Sequence, residues 1–221
     1  MIALAVLLPG CLSGCGAVSG NITDGNTGRG GSIINKTDNI TDLLPSVFTY
    51  ELNADGTGYI LTDVDEEAFG EVTVAAEYKN LPVVEIGYKA FAHCKNVTGI
   101  TLPLGVKTVG GYAFENCAKL SSVALPDGLG EIGKWAFSGC AALTGIVIPA
   151  NVTVIGEYAF RFCRGLESAT FAVTDNWCAY WSPTALTGAK PTAAQLGDTS
   201  KAASYLKATY NYCLWKRTVI K

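Results

Sequence analysis

The sequence predicts an α/β solenoid, a short coil of stacked repeats whose strands form a parallel sheet, and three observations predict it. The first is a pair Ala-Phe with a Cys three residues beyond the Phe. It occurs as Ala90-Phe91, Ala113-Phe114, Ala136-Phe137 and Ala159-Phe160, with Cys94, Cys117, Cys140 and Cys163, each 23 residues after the last. The second is that other positions keep the same phase. Ile86-Gly87, Val109-Gly110, Ile132-Gly133 and Ile155-Gly156 precede the pairs, and Leu102-Pro103, Leu125-Pro126 and Ile148-Pro149 precede the last three of those. The third is energetic. A unit such as residues 120–140 offers eight apolar side chains, Leu120, Val123, Leu125, Leu129, Ile132, Ala136, Phe137 and Cys140. Burying these does not offset the ordering of 23 backbones, so one unit cannot fold alone. Stacked units share walls and ladder hydrogen bonds, and the two open ends need covering.

Within each unit the Leu-x-x-Val-x-Leu segment is the only part that alternates with period two, so it reads as a short strand that Pro then ends. Strands of successive coils lie about 4.8 Å apart in a parallel sheet. The Ala-Phe-x-x-Cys segment follows a Gly and has helical spacing. It reads as a turn or short helical piece on the opposite wall, where Ala permits close approach, Phe fills the middle and Cys closes the inside.

A 23-residue period falls in the range of leucine-rich repeats. The run Ile-Gly-x-x-Ala-Phe-x-x-Cys-x-x-Leu-x-x-Val-x-Leu-Pro resembles the BspA-like leucine-rich repeat family of bacterial surface proteins over roughly residues 48–217. The resemblance implies a right-handed coil on a surface protein that binds host or neighbouring-cell ligands. It also implies a C-terminal cap at the ending with Asn176-Trp177 and Trp215-Lys216-Arg217. Fold alone does not fix function.

In chain order, Leu12-Ser13-Gly14-Cys15 looks like a bacterial lipobox, so residues 1–15 read as a lipoprotein signal peptide ending at a lipidated Cys15. No Lys or Arg precedes its apolar stretch, although a signal peptide opens on positive charge. The longest apolar run, residues 2–9, is too short to span a bilayer. Residues 16–44 are rich in Gly, Asn and Thr, a composition that buries no core and reads as a flexible tether. Residues 45–94 form an N-terminal cap and first coil. Asp55-Gly56 between two alternating runs signals a hairpin, and Val72, Val74, Val83, Ile86, Ala90, Phe91 and Cys94 complete the coil. Residues 95–165 are the regular repeats, and 166–221 a C-terminal cap with Trp177 and Trp181. There, a short helix over residues 200–207 with Thr199 as cap and a final strand over 210–220 are expected.

Net charge −3 with 16% charged residues, and no basic patch, argues against nucleic acid. Coils about 4.8 Å apart set the outer ladder cysteines roughly 14 Å apart, so four thiolates cannot converge on one zinc. They read as small hydrophobes in a packed wall. Cys178 and Cys213 lie outside the ladder; a bond between them staples the last strand to the last coil, and two free thiols are the alternative. Asn53-Ala54-Asp55-Gly56 echoes a calcium loop but lacks the later glutamate. His93, the only histidine, reads as an exposed turn residue, and no Gly-x-Ser-x-Gly nucleophile motif accompanies it. The sequence thus points to a non-enzymatic protein without a cofactor.

Two surface columns are candidates for binding. The residue before each Ala-Phe pair gives Tyr112, Trp135 and Tyr158, aromatics in phase on successive coils. The outward strand position gives Thr101, Ala124, Val147 and Thr170, a column of small residues. The expected partner is a protein or surface glycan, with membrane contact only through the lipid and the protein at a bacterial envelope. The alternative is a structural spacer without a ligand.

Overall fold

The computed structural model describes residues 48–182 and 184–219. Cys15, the 1–15 signal segment and the 16–44 tether lie outside them. The described residues open on a hairpin of β1 (Phe48–Leu52) and β2 (Tyr59–Val64), followed by β3 (Phe69–Thr73), β4 (Glu77–Tyr78) and β5 (Leu81–Ile86). Each repeat then supplies two strands. They are β6 (Asn96–Thr101) with β7 (Thr108–Val109), β8 (Ser122–Ala124) with β9 (Glu131–Ile132), and β10 (Gly145–Ile148) with β11 (Val154–Ile155). β12 (Ser168–Phe171), β13 (Trp177–Tyr180), helices α1 (Ala193–Gly197) and α2 (Thr199–Ser204), a π-helical turn Tyr205–Thr209 and β14 (Leu214–Arg217) are the last elements of the described residues.

The strands build two walls. One runs in the order β1-β2-β5-β7-β9-β11-β14-β13, with β4 beside β5, parallel from β2 to β11 and closed by antiparallel β14 and β13. The other holds the Leu-x-x-Val-x-Leu strands as two parallel sets, β3-β6-β8 and β10-β12. The expected single sheet is therefore two walls, one of them interrupted between β8 and β10. The wall the sequence did not reveal consists largely of two-residue strands before the Gly, too short to carry a period.

The Ala-Phe-x-x-Cys wall is made of turns, which corrects the helical alternative and with it the α/β description of the repeats. Bonds such as Ala136 N–H to Gly133 O at 3.3 Å and Cys140 N–H to Phe137 O at 3.2 Å close the turns over three residues. The intervening N–H groups point to the next coil: Phe91 to Ala113 O, Phe114 to Ala136 O and Phe137 to Ala159 O, each 2.7 Å. A donor spent between coils cannot continue an i to i−4 ladder. Left-handed residues at Trp135 (φ 60) and Gly139 (φ 80) also break any right-handed run. Among the described residues, helix is confined to the segment between β13 and β14.

The repeated apolar positions form one core. In the three units starting at Val97, Leu120 and Leu143, all are buried except Val123 and Leu125, which are half-buried next to the interruption between β8 and β10. Phe91, Phe114, Phe137 and Phe160 stack in sequence with centroids 4.9, 5.0 and 5.3 Å apart. Coils also meet at the Ile-Gly pairs. A Cβ on Gly133 would stand 2.6 Å from Gly110 C and Gly111 N, so only glycine permits this approach.

At the N-terminal end the hairpin loop is held by Asn53, whose Oδ1 accepts from Thr57 N and Gly58 N at 2.9 and 3.0 Å, with Gly56 at φ 73. At the C-terminal end Trp177 and Trp215 are buried, and Phe171, Trp177, Trp215 and Tyr210 pack as neighbours. α2 is capped by Asp198 rather than Thr199, since its Oδ1 accepts from Ser200 N and Lys201 N. The preceding α1 has a capping box of Thr192 and Gln195, a Thr-x-x-Gln signal present in the sequence. The last strand spans Leu214–Arg217, inside the expected 210–220.

Candidate interaction surface

The aromatic column lies on the turn wall, at the residue that enters each turn. Lys89, Tyr112, Trp135 and Tyr158 all take left-handed backbone, φ 59 to 61. Such a conformation is costly for a residue with a Cβ. It is held here by bonds between coils: Lys89 N–H to Gly111 O (3.0 Å), Tyr112 N–H to Lys134 O and Trp135 N–H to Glu157 O (both 2.9 Å). Tyr158 lies on the last regular coil and donates instead to Asn211 O at 2.5 Å, so the C-terminal segment replaces the missing next coil.

The rings are half-buried and touch in succession. Tyr112 and Trp135 stack at 6.0 Å and 4°, Trp135 and Tyr158 meet tilted at 4.6 Å and 31°, and the exposed Tyr88 meets Tyr112 edge-on at 5.6 Å. Cations flank both ends. Lys89 Nζ lies 5.5 and 5.7 Å from the Tyr88 and Tyr112 rings, and the Arg161 guanidinium 5.2, 5.0 and 4.5 Å from Trp135, Tyr158 and Phe162. Lys134 pairs with Glu157 beside the column at 2.8 Å. Arg161 and Phe162 were not singled out from the sequence, yet a signal existed: one repeat earlier these places hold Ser138 and Gly139. The strip of touching, half-buried rings edged by cations can offer aromatic surface and charge-assisted hydrogen bonds.

Thr101, Ala124, Val147 and Thr170 are all exposed, Val147 by 58%. They form two register pairs, Thr101 beside Ala124 and Val147 beside Thr170, separated by the interruption between β8 and β10. The aromatic rings touch in succession as one strip, and the small residues are exposed on neighbouring strands, with the ladder interrupted midway along their column.

The ladder thiols are buried and free. Cys117, Cys140 and Cys163 donate to the carbonyls of Phe91, Phe114 and Phe137 at 3.0, 3.1 and 3.1 Å. Burial pushes Cys94 and Cys163 up to about 12, and the Cys117 thiol together with burial holds Cys140 well above the usual thiol range. These groups stay protonated and unreactive at neutral pH. Cys178 and Cys213 are likewise buried free thiols; Cys178 pairs in register with Lys216, three residues beyond Cys213. Among the described residues no group of three or more His, Cys, Asp or Glu could hold a metal ion, and His93 is exposed. No helix among them is long and apolar enough to cross a membrane.

Parallel strand walls, a 23-residue period and a shared apolar core define a leucine-rich repeat solenoid. The family model for the BspA-type leucine-rich repeat region matches residues 62–177 in six copies, and the chain belongs to that family. It is similar to a T. pallidum leucine-rich repeat protein (33% identity, 57% of this chain and 69% of that one, TM-score 0.48). It is also similar to leucine-rich repeat proteins from Bacteroides capillosus (31%, 57% and 94%, TM-score 0.49) and Bacteroides ovatus (33%, 56% and 39%, TM-score 0.46). Among curated proteins none matches the chain.

Proposed function

We propose that the chain is a non-enzymatic binding module of a bacterial cell surface, anchored by a lipid on Cys15, whose ligand seats on the strip of Tyr112, Trp135 and Tyr158. The strip itself carries this reading. Rings aligned on three coils and edged by Lys89 and Arg161 supply the aromatic and cationic side chains that dominate binding energies. A surface location is supported by the family and by a similar Faecalibacterium prausnitzii chain described as a leucine rich cell surface protein (25% identity, 65% of this chain and 45% of that one, TM-score 0.46).

The test is Trp135→Ala, probed against a panel of immobilised extracellular proteins and surface glycans. Binding to whichever member the unaltered chain retains is expected to weaken at least about tenfold, or about 1.4 kcal/mol. Stability falls by about 1 to 2 kcal/mol, because a half-buried ring and its contacts with the Tyr112 and Tyr158 rings are lost. Full binding by a folded Trp135→Ala removes the strip as the site. A chain that retains no panel member, with a stability loss alone, favours the second reading, a spacer whose rings only pack across coils. Anchoring is tested separately: Cys15→Ala should abolish labelling by a palmitate analogue and release the protein from membranes, and unchanged labelling would exclude the lipid.

A further inference from the structure

The charge of the solenoid is distributed along its axis. Residues 48–78 carry eight Asp and Glu and no Lys or Arg, whereas residues 158–221 carry eight Lys and Arg against three Asp and Glu. Both ends present charge on the same wall, as the thiol ladder shows. Cys163, Cys140 and Cys117 each point at a carbonyl of the coil before, and Cys94 continues the series onto the turn after β2, 3.7 Å from Asp65 O. Asp65, Glu66 and Glu67 of that turn and Asp63 near the end of β2 are exposed, with Phe69 38% exposed just beyond.

At the other end, a groove of about 540 Å³ lies between the last turn and the C-terminal segment, lined by Arg161, Phe162, Arg164, Lys207 and Asn211 and by no carboxylate. Arg161 and Lys207 are held by contacts other than ion pairs. Arg161 lies against three rings, Lys207 Nζ donates to Leu166 O at 2.5 Å, and the ion pairs found among the described residues, Lys134–Glu157 and Lys201–Asp198, involve neither these nor Arg164. Phe162 adds an apolar surface, 51% exposed.

We propose that copies of this chain dock head to tail, the acidic turn 63–67 of one copy seating on the basic groove around Arg161, Arg164 and Lys207 of the next. The two surfaces differ, so the contact is heterologous, and any assembly that does not close into a ring keeps a free acidic turn at one end and a free groove at the other. Being carried by charge, it is screened by salt: the Debye length falls from about 30 Å at 0.01 M to about 3 Å at 1 M.

Sedimentation velocity on the full, unlipidated chain tests this. At about 0.01 M salt the weight-average mass rises with protein concentration, and at about 1 M it stays at the 23.2 kDa of one chain. The reversals Arg161→Glu with Arg164→Glu, and separately Glu66→Lys with Glu67→Lys, each hold the chain monomeric at low salt, because like charges then face each other. Mixing the two variants restores association, since each now complements the other. Circular dichroism verifies folding; if the double arginine variant does not fold, Arg164→Glu alone, at an exposed position, weakens association about tenfold. A chain that stays monomeric at low salt, a mass unaffected by salt, a reversed variant that still associates, or a mixture that stays monomeric overturns the proposal.

Discussion

Phe137→Ala is expected to destabilise the protein by about 3 to 5 kcal/mol, the range for emptying a buried aromatic site. The ring has no solvent exposure and lies between Phe114 at 5.0 Å and Phe160 at 5.3 Å, both nearly parallel to it at 8°. Its backbone joins the same ladder, since its N–H donates to Ala159 O at 2.7 Å and its carbonyl accepts from the Cys163 thiol at 3.1 Å. Neighbouring coils can close over the void only by shortening these bonds further, so the cavity persists. In a repeat protein each coil is stabilised mainly by its neighbours. The loss therefore weakens coupling between the coils on either side, and the urea transition should broaden as its midpoint falls. A loss under about 1 kcal/mol would contradict the stacked register.

Gly133→Ala is the second large effect, and it acts on backbone. The added methyl would lie 2.6 Å from Gly110 C and Gly111 N, neither of which is the end of a flexible side chain. Relief requires the two coils to separate where Gly133 N–H donates to Val109 O at 2.7 Å. A cost of about 3 kcal/mol is expected, the upper part of the range for overpacking. Gly197→Ala is the control, because nothing lies within 4 Å of its added Cβ and it ends helix α1. There the helix propensity of Ala should give a neutral or slightly stabilising change, within about 1 kcal/mol. Chemical denaturation of both variants separates close approach from a general intolerance of lost glycines.

The sequence by itself determined the period, the core and the phase of the exposed columns. Residues 23 apart occupy equivalent places, so one reading of Ala-Phe-x-x-Cys assigns burial to Phe91, Phe114, Phe137 and Phe160 together, and all four are buried. The same logic set Tyr112, Trp135 and Tyr158 in one line. It also excluded convergence of the four ladder cysteines on one metal, because translation along the coil keeps equal residues apart. What only the tertiary structure decided depends on contacts between coils, which leave no local period. The wall of two-residue strands exists because Val109, Ile132 and Ile155 pair with their equivalents. The left-handed backbone at Trp135 is held by a bond to Glu157 of the next coil. The interruption between β8 and β10, and the Arg161 guanidinium over three rings, likewise belong to the stacked coils. A repeat fixes which residues are equivalent; how adjacent coils share donors, rings and charges is settled only when they stack.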